Sequence, residues 1–204
     1  MRRLFSILWG ISHPSARLSA FLDQGYGLAA LVYRGSSGQD GTPSEENFAA
    51  DARALYDQLD ALMGTPVPSQ SRIAHGYSLG SGIAVRLATE RQIAALTLEA
   101  AYARFCDYFT DRYYGLPFCC LMTRERYDSM DRIARINAPL IQFHGEQDSA
   151  ISMASGERLF EAAVQPKEFH AYPQGTHVNL GEAGLYRDAV AFYRTHVTHG
   201  RLTD

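Results

Sequence analysis

The chain is predicted to be α/β, with a mainly parallel sheet covered by helices on both faces, in one domain spanning residues 1–204. Two observations carry this. Compact apolar runs bounded by turn residues alternate with stretches whose apolar residues recur at helical spacing. The pentapeptide Gly76-Tyr77-Ser78-Leu79-Gly80 also stands between a strand-like run, Ser71-Arg72-Ile73-Ala74-His75, and a helix-like run, Ser81 to Glu90.

In chain order, Leu4 to Ile11 is apolar apart from Ser6 and Gly10 and follows Met1-Arg2-Arg3. It mimics a short signal peptide but is too short to span a bilayer. A buried strand, with the arginines in solvent, accounts for the same residues. Leu18 to Leu22 suits a helix, and Leu28 to Tyr33 a buried strand ended by Arg34-Gly35. Gly35 to Gly41 is a loop by composition. At Thr42-Pro43-Ser44-Glu45 a helix starts, with Thr42 expected to cap it and Glu45 to complete a capping box. Phe48, Ala52, Leu55, Leu59 and Leu62 continue it until Gly64-Thr65-Pro66-Val67-Pro68. Further strands are expected over Ala94 to Leu98, Leu140 to His144 and Glu168 to Tyr172, and helices over Ser152 to Ala163 and Glu182 to His196. From Ala101 to Ile136 the alternation stops. This aromatic-rich stretch reads as a small helical cap insertion over the carboxyl ends of the strands.

Hydrophobic residues make up 46% and charged residues 20%, enough for a sizeable core. The net charge is −3 and the lysines and arginines form no basic block, so no nucleic-acid partner is expected. Cys106, Cys119 and Cys120 are odd in number, with two adjacent, which reads as no disulfide framework; no Cys/His spacing resembles a zinc site. A reducing, cytoplasmic setting follows as an expectation. No phosphate-binding loop and no integral membrane segment is found, so neither cofactor nor metal is expected.

Gly-x-Ser-x-Gly between a strand and a helix reads as a nucleophile elbow. A sharp turn lifts the Ser78 hydroxyl clear of the sheet, and small neighbours allow the backbone to fold that tightly. The helix behind it aims unpaired amides at the same place. A serine hydroxyl needs a base, and the base needs an orienting group. Asp148 falls in the loop after Leu140 to His144, and His177 in the loop after Glu168 to Tyr172. The order Ser78, Asp148, His177 suits a triad at the rim of one sheet. Glu146 and Glu99 compete for the acid, and His170, His196 and His199 for the base. His75 and His144 are expected to pack or hydrogen-bond near the elbow.

These motifs resemble the α/β-hydrolase superfamily, in particular its serine-aminopeptidase-like branch with bud-emergence-type proteins and protein depalmitoylases. The matching residues are Tyr33-Arg34-Gly35, Gly41 to Glu45, Gly76 to Gly80, Ala138-Pro139-Leu140, His144 to Asp148 and Gly175-Thr176-His177. The resemblance implies Ser78 as nucleophile, Asp148 as orienting acid, His177 as general base and the Leu79 amide as one oxyanion donor.

The family's His-Gly-Asn-x-Gly-Asn loop, source of the second donor, has no counterpart in Phe5 to Gly10. The strands that usually precede that loop are missing as well. Two expectations are open. Leu4 to Trp9 fills the vacant place in the sheet, making Gly10 or Ile11 the second donor, or the chain is a piece of a longer product. The reaction implied is cleavage of a carboxylic ester or thioester through an acyl-serine, with peptidase activity less favoured. The alternative is an impaired hydrolase-like binding or scaffold protein. The expected partner is a small-molecule or acyl substrate, and the oligomeric state is left open. The insertion's aromatics either line an acyl pocket or glue the insertion to the core, the second being the blander explanation.

Overall fold

The strand that was open to doubt forms, and it lies inside the sheet. A computed structural model describes residues 3–9 as backbone, and residues 20–35, 38–113, 118–122 and 124–197 with their side chains. Its strands are β1 (Arg3–Trp9), β2 (Tyr26–Val32), β3 (Arg72–Tyr77), β4 (Ala95–Glu99), β5 (Leu140–Gly145) and β6 (Lys167–Tyr172). They form one sheet in the order β2-β1-β3-β4-β5-β6, and every neighbouring pair is parallel. β1 pairs on one side from Arg3 opposite Tyr26 to Trp9 opposite Val32, and on the other from Leu4 opposite Arg72 to Leu8 opposite Gly76.

The helices are α1 (Glu45–Asp57), α2 (Leu59–Met63), α3 (Leu79–Glu90), α4 (Phe105–Arg112), α5 (Phe118–Leu121), α6 (Met130–Ile133), α7 (Met153–Ala162), α8 (Leu180–Ala183) and α9 (Leu185–His196). Residues 20–22 are helical too, the described end of the helix expected from Leu18. Because side chains alternate across a strand, neighbours on the sheet serve opposite faces. Ala74, Leu96 and Leu140 join Phe48, Ala52, Ile83, Val85 and Leu159, from α1, α3 and α7, in one buried core. Ile73, Ala95 and Ile141 join Phe21, Leu185, Ala189 and Tyr193 in the other. Helices therefore cover both faces, as expected. No helix among the described residues is long and apolar enough to cross a membrane.

Three local expectations need correction. The cap of α1 is Ser44, not Thr42; its side chain accepts the Asn47 amide at 3.1 Å. Thr42 instead offers its carbonyl to Asn47 Nδ2 at 2.9 Å. Glu45 does not reach back in a capping box, because its carboxylate is taken by residues 80 positions further on. Its Oε2 accepts the Tyr127 amide at 2.8 Å, and its Oε1 lies 3.1 Å from Arg132 Nη2. The last helix is broken at Gly184, whose φ of +116° leaves the helical region and separates α8 from α9.

A fourth correction concerns cysteine. Cys106 and Cys119 are paired in a disulfide with their Cα atoms 4.9 Å apart, while Cys120 is free and exposed. Aromatic packing brings them together: Phe118 of α5 lies 5.8 Å from Phe109 and 5.7 Å from Tyr113 between ring centroids. An odd count could not reveal which two would meet across that fold-back. Unpaired cysteines therefore no longer support a reducing compartment.

Candidate active site

Ser78 leaves the carboxyl end of β3 with φ 51° and ψ −121°, the left-handed strain of an elbow. Its amide donates to the Glu99 carbonyl at 2.9 Å, and its carbonyl accepts the Ser81 hydroxyl at 2.7 Å. Gly76 makes the turn possible: a Cβ there would sit 2.6 Å from the Ser81 Cα. Leu79 opens α3, so its amide has no carbonyl partner within the helix. Its own carbonyl accepts the hydroxyl of fully buried Tyr102 at 3.2 Å.

The other two groups arrive on neighbouring loops. The turn after β5 and the turn after β6 are laced together: Glu146 donates its amide to the Tyr172 carbonyl at 3.0 Å, and Gln147 to the Gly175 carbonyl at 2.9 Å. Gly145 and Gly175 let these backbones touch, since a Cβ on Gly175 would lie 2.9 Å from the Gly145 Cα. This contact sets Asp148 beside His177.

Asp148 Oδ2 lies 2.8 Å from His177 Nδ1, and His177 Nε2 lies 2.9 Å from Ser78 Oγ. The carboxylate side chain is fully buried and the imidazole about one-fifth exposed (21%). Asp148 Oδ1 accepts two amides of its own turn, Ala150 at 2.8 Å and Ile151 at 2.9 Å. Burial works against ionisation of Asp148. The hydrogen bond from His177 and the two amides outweigh it, holding the carboxyl below its ordinary range. An ionised Asp148 accepts a hydrogen bond from His177 Nδ1–H, which holds the proton on Nδ1 and leaves Nε2 free to accept from the serine hydroxyl.

No family model matches the chain. It is 38% identical over 152 residues to an uncharacterized protein of Mycobacterium tuberculosis, an alignment covering 73% of this chain and 53% of that one. It is 26% identical over 173 residues to the alpha/beta hydrolase domain-containing protein aho-3 of Caenorhabditis elegans, covering 80% of this chain and 46% of that one. The fold is similar to that of the esterase domain from a Rhodothermus marinus protein, with a TM-score of 0.66, 21% identity, and coverage of 96% of this chain and 87% of that one. The chain has an α/β-hydrolase fold and is similar in sequence to an alpha/beta hydrolase domain-containing protein. It spans about half the length of the curated relatives it matches.

In this fold the rival residues lie elsewhere. Glu99 is fully buried with its Oε2 3.4 Å from His75 Nε2, on the strands beneath the elbow, and Glu146 is exposed. His170 lies 3.4 Å from Glu168 and 3.7 Å from Asp188, and His196 lies 3.5 Å from Glu168. His199 is outside the described residues, as are Gly10 and Ile11, the two expected donors for a second oxyanion bond. β1 ends at Trp9 with Leu8 opposite Gly76, so its carboxyl end lies beside the elbow.

Two contributions escaped the sequence analysis. The Tyr77 hydroxyl donates to the His177 carbonyl at 2.9 Å, a bond between residues 100 apart that no local pattern announces. Glu45 pins Tyr127, and Ser155 Oγ accepts the Ala103 amide at 3.0 Å, so the 101–136 stretch is tied to α1 and α7 at both ends. Among the described residues that stretch contains no strand. Its aromatics pack on one another: Phe105 lies 5.8 Å from Tyr102, 5.5 Å from Phe109 and 5.3 Å from Tyr127.

Proposed function

We propose that this α/β-hydrolase is a serine hydrolase that cleaves a carboxylic ester or thioester, with Ser78 as nucleophile, His177 as general base and Asp148 as orienting acid. One observation carries the reading: a hydroxyl, an imidazole and a carboxylate from three separate loops stand in line at 2.9 and 2.8 Å.

In the reaction, Ser78 Oγ attacks the acyl carbon as its proton passes to His177 Nε2. The resulting imidazolium is stabilised by Asp148, and the Leu79 amide receives the oxyanion. Collapse expels an alcohol or thiol, which takes the proton from Nε2. Water then repeats the sequence, with His177 drawing its proton and acid returned to solution. Gly10 or Ile11 is assigned the second oxyanion bond, an assignment supported by where β1 ends. The likeness in sequence to a relative named a lysophosphatidylserine lipase supports an ester substrate.

The test is labelling with a fluorophosphonate, which acts as an acyl analogue at an activated serine. The wild-type protein is expected to label and Ser78→Ala to label not at all. A folded wild-type protein that stays unlabelled at every pH from 6 to 9 leaves only a binding role for the site.

A further inference from the structure

The acid of the site touches a second histidine that the mechanism does not use. His144 is completely buried near the end of β5, with its Nε2 3.0 Å from the Ile151 carbonyl and 3.7 Å from Asp148 Oδ2. A carbonyl oxygen can only accept, so the proton of the neutral ring sits on Nε2. The opposite nitrogen, Nδ1, is buried with no hydrogen-bond partner among the described residues. It faces α7 at Gly156, where a Cβ would come within 2.5 Å of it. Helix α7 therefore passes over this imidazole only because position 156 carries no side chain. The charged and titratable groups around the ring are Asp148 and His177 above it and Glu157 on α7.

An apolar side chain would fill this space without leaving a polar nitrogen unsatisfied. What it could not do is hold Ile151. The same residue that gives its carbonyl to His144 gives its amide to Asp148 Oδ1 at 2.9 Å. The chain of contacts runs from His144 through the Ile151 peptide to Asp148, then to His177 and Ser78.

We infer that His144 is a positioning residue, whose buried neutral imidazole, donating from Nε2 to the Ile151 carbonyl, fixes the 148–151 turn so that Asp148 meets His177. This rests on the hydrolytic reading of Ser78, Asp148 and His177. A ring held this way restricts the turn from below while the two backbone amides restrict the carboxylate from the side. The acid then keeps one orientation without any contact to substrate.

Three variants and one direct observation test it. Glutamine places an amide nitrogen near the position of imidazole Nε2, whereas methionine has nearly the same shape and no donor. His144→Gln is expected to keep Ser78 labelling within about 3-fold of wild type, and His144→Met to slow it roughly 10- to 100-fold, the scale of a small misplacement in a catalytic group. The readout independent of activity is the His177 Nδ1 proton followed by NMR. Its hydrogen-bonded, downfield signal is expected to move upfield in His144→Met, where the carboxylate no longer faces it, and to stay in place in His144→Gln. His144→Asn, whose amide stops short of the Ile151 carbonyl, should behave as His144→Met does. If neither donor-lacking variant folds, the wild-type tautomer decides: a proton on Nε2 of His144 supports the assignment, and one on Nδ1 overturns it. Folded His144→Met with wild-type labelling and a wild-type His177 Nδ1 proton signal also overturns it. A wild-type protein that never labels defeats the hydrolytic reading instead, and the His177 Nδ1 proton signal still reports on His144.

Discussion

The hydroxyl of Tyr77 donates to the main-chain carbonyl of His177 at 2.9 Å, and the two rings lie 5.2 Å apart between centroids. Tyr77 is the residue immediately before the elbow serine, so the strand carrying the nucleophile also grips the loop carrying the base. The separation of Ser78 and His177 is thereby fixed by main-chain anchoring as well as by their own hydrogen bond.

Tyr77→Phe keeps the ring and removes the anchor. One neutral hydrogen bond contributes about 0.5–1.5 kcal/mol, which corresponds to about 2- to 13-fold in rate if it acts only on the reactive alignment. Ester hydrolysis should show that loss in kcat, with KM changed less than about 2-fold. An unchanged kcat in the folded variant would contradict the anchoring role.

Gly76→Ala should harm the fold before it harms the chemistry. The new methyl would lie 2.6 Å from the Ser81 Cα and 2.7 Å from the Ala84 Cβ, where β3 and α3 meet. Backbone of two elements has to part, with a cost of about 1–3 kcal/mol for overpacking. For a chain of this length that lowers the melting temperature by about 2–12 °C. Calorimetry of the purified variant gives the answer directly.

Acid should weaken the fold in two stages. Burial, foremost, lowers the pKa of His144 below its ordinary value. The unfolded chain then takes up this proton at a higher pH than the folded one, and stability falls as the pH drops below the ordinary imidazole range. Asp148 is also lowered, its hydrogen bonds prevailing over burial. Its contribution is complete above the ordinary carboxylate pKa and disappears as the pH falls through the folded value. Melting temperature against pH should therefore show an upper step that His144→Gln removes and a lower one that Asp148→Asn reduces.

Much of this was legible before any coordinates, for reasons specific to the residues. Ile73-Ala74, Ala95-Leu96 and Leu140-Ile141 each supply one side chain to each core, so both-face burial leaves continuous apolar runs that stand out. The candidate triad was readable because Ser78, Asp148 and His177 lie one, three and five residues past the ends of β3, β5 and β6, where loop chemistry is confined to few positions. What was not readable depends on contacts between distant segments. Glu45 follows a cap-like sequence, yet Tyr127 and Arg132 claim its carboxylate. Cys106 finds Cys119 only after α5 folds back on α4. Tyr77 looks like any residue of a strand until the loop of His177 lies over it.

The place of β1 bears on how this protein is made. It leaves the ribosome ahead of β2 to β6, yet both of its edges need partners, β2 and then β3, and the second is complete only when Tyr77 has been synthesised. Until then the nascent chain carries an open strand edge able to pair with other chains. A processing event that removed residues 3–9 would leave β2 with no neighbour in the sheet among the described residues and turn β3, the strand that presents the serine, into a border. Seven residues at the start of the described chain thus join β2 to the rest of the sheet.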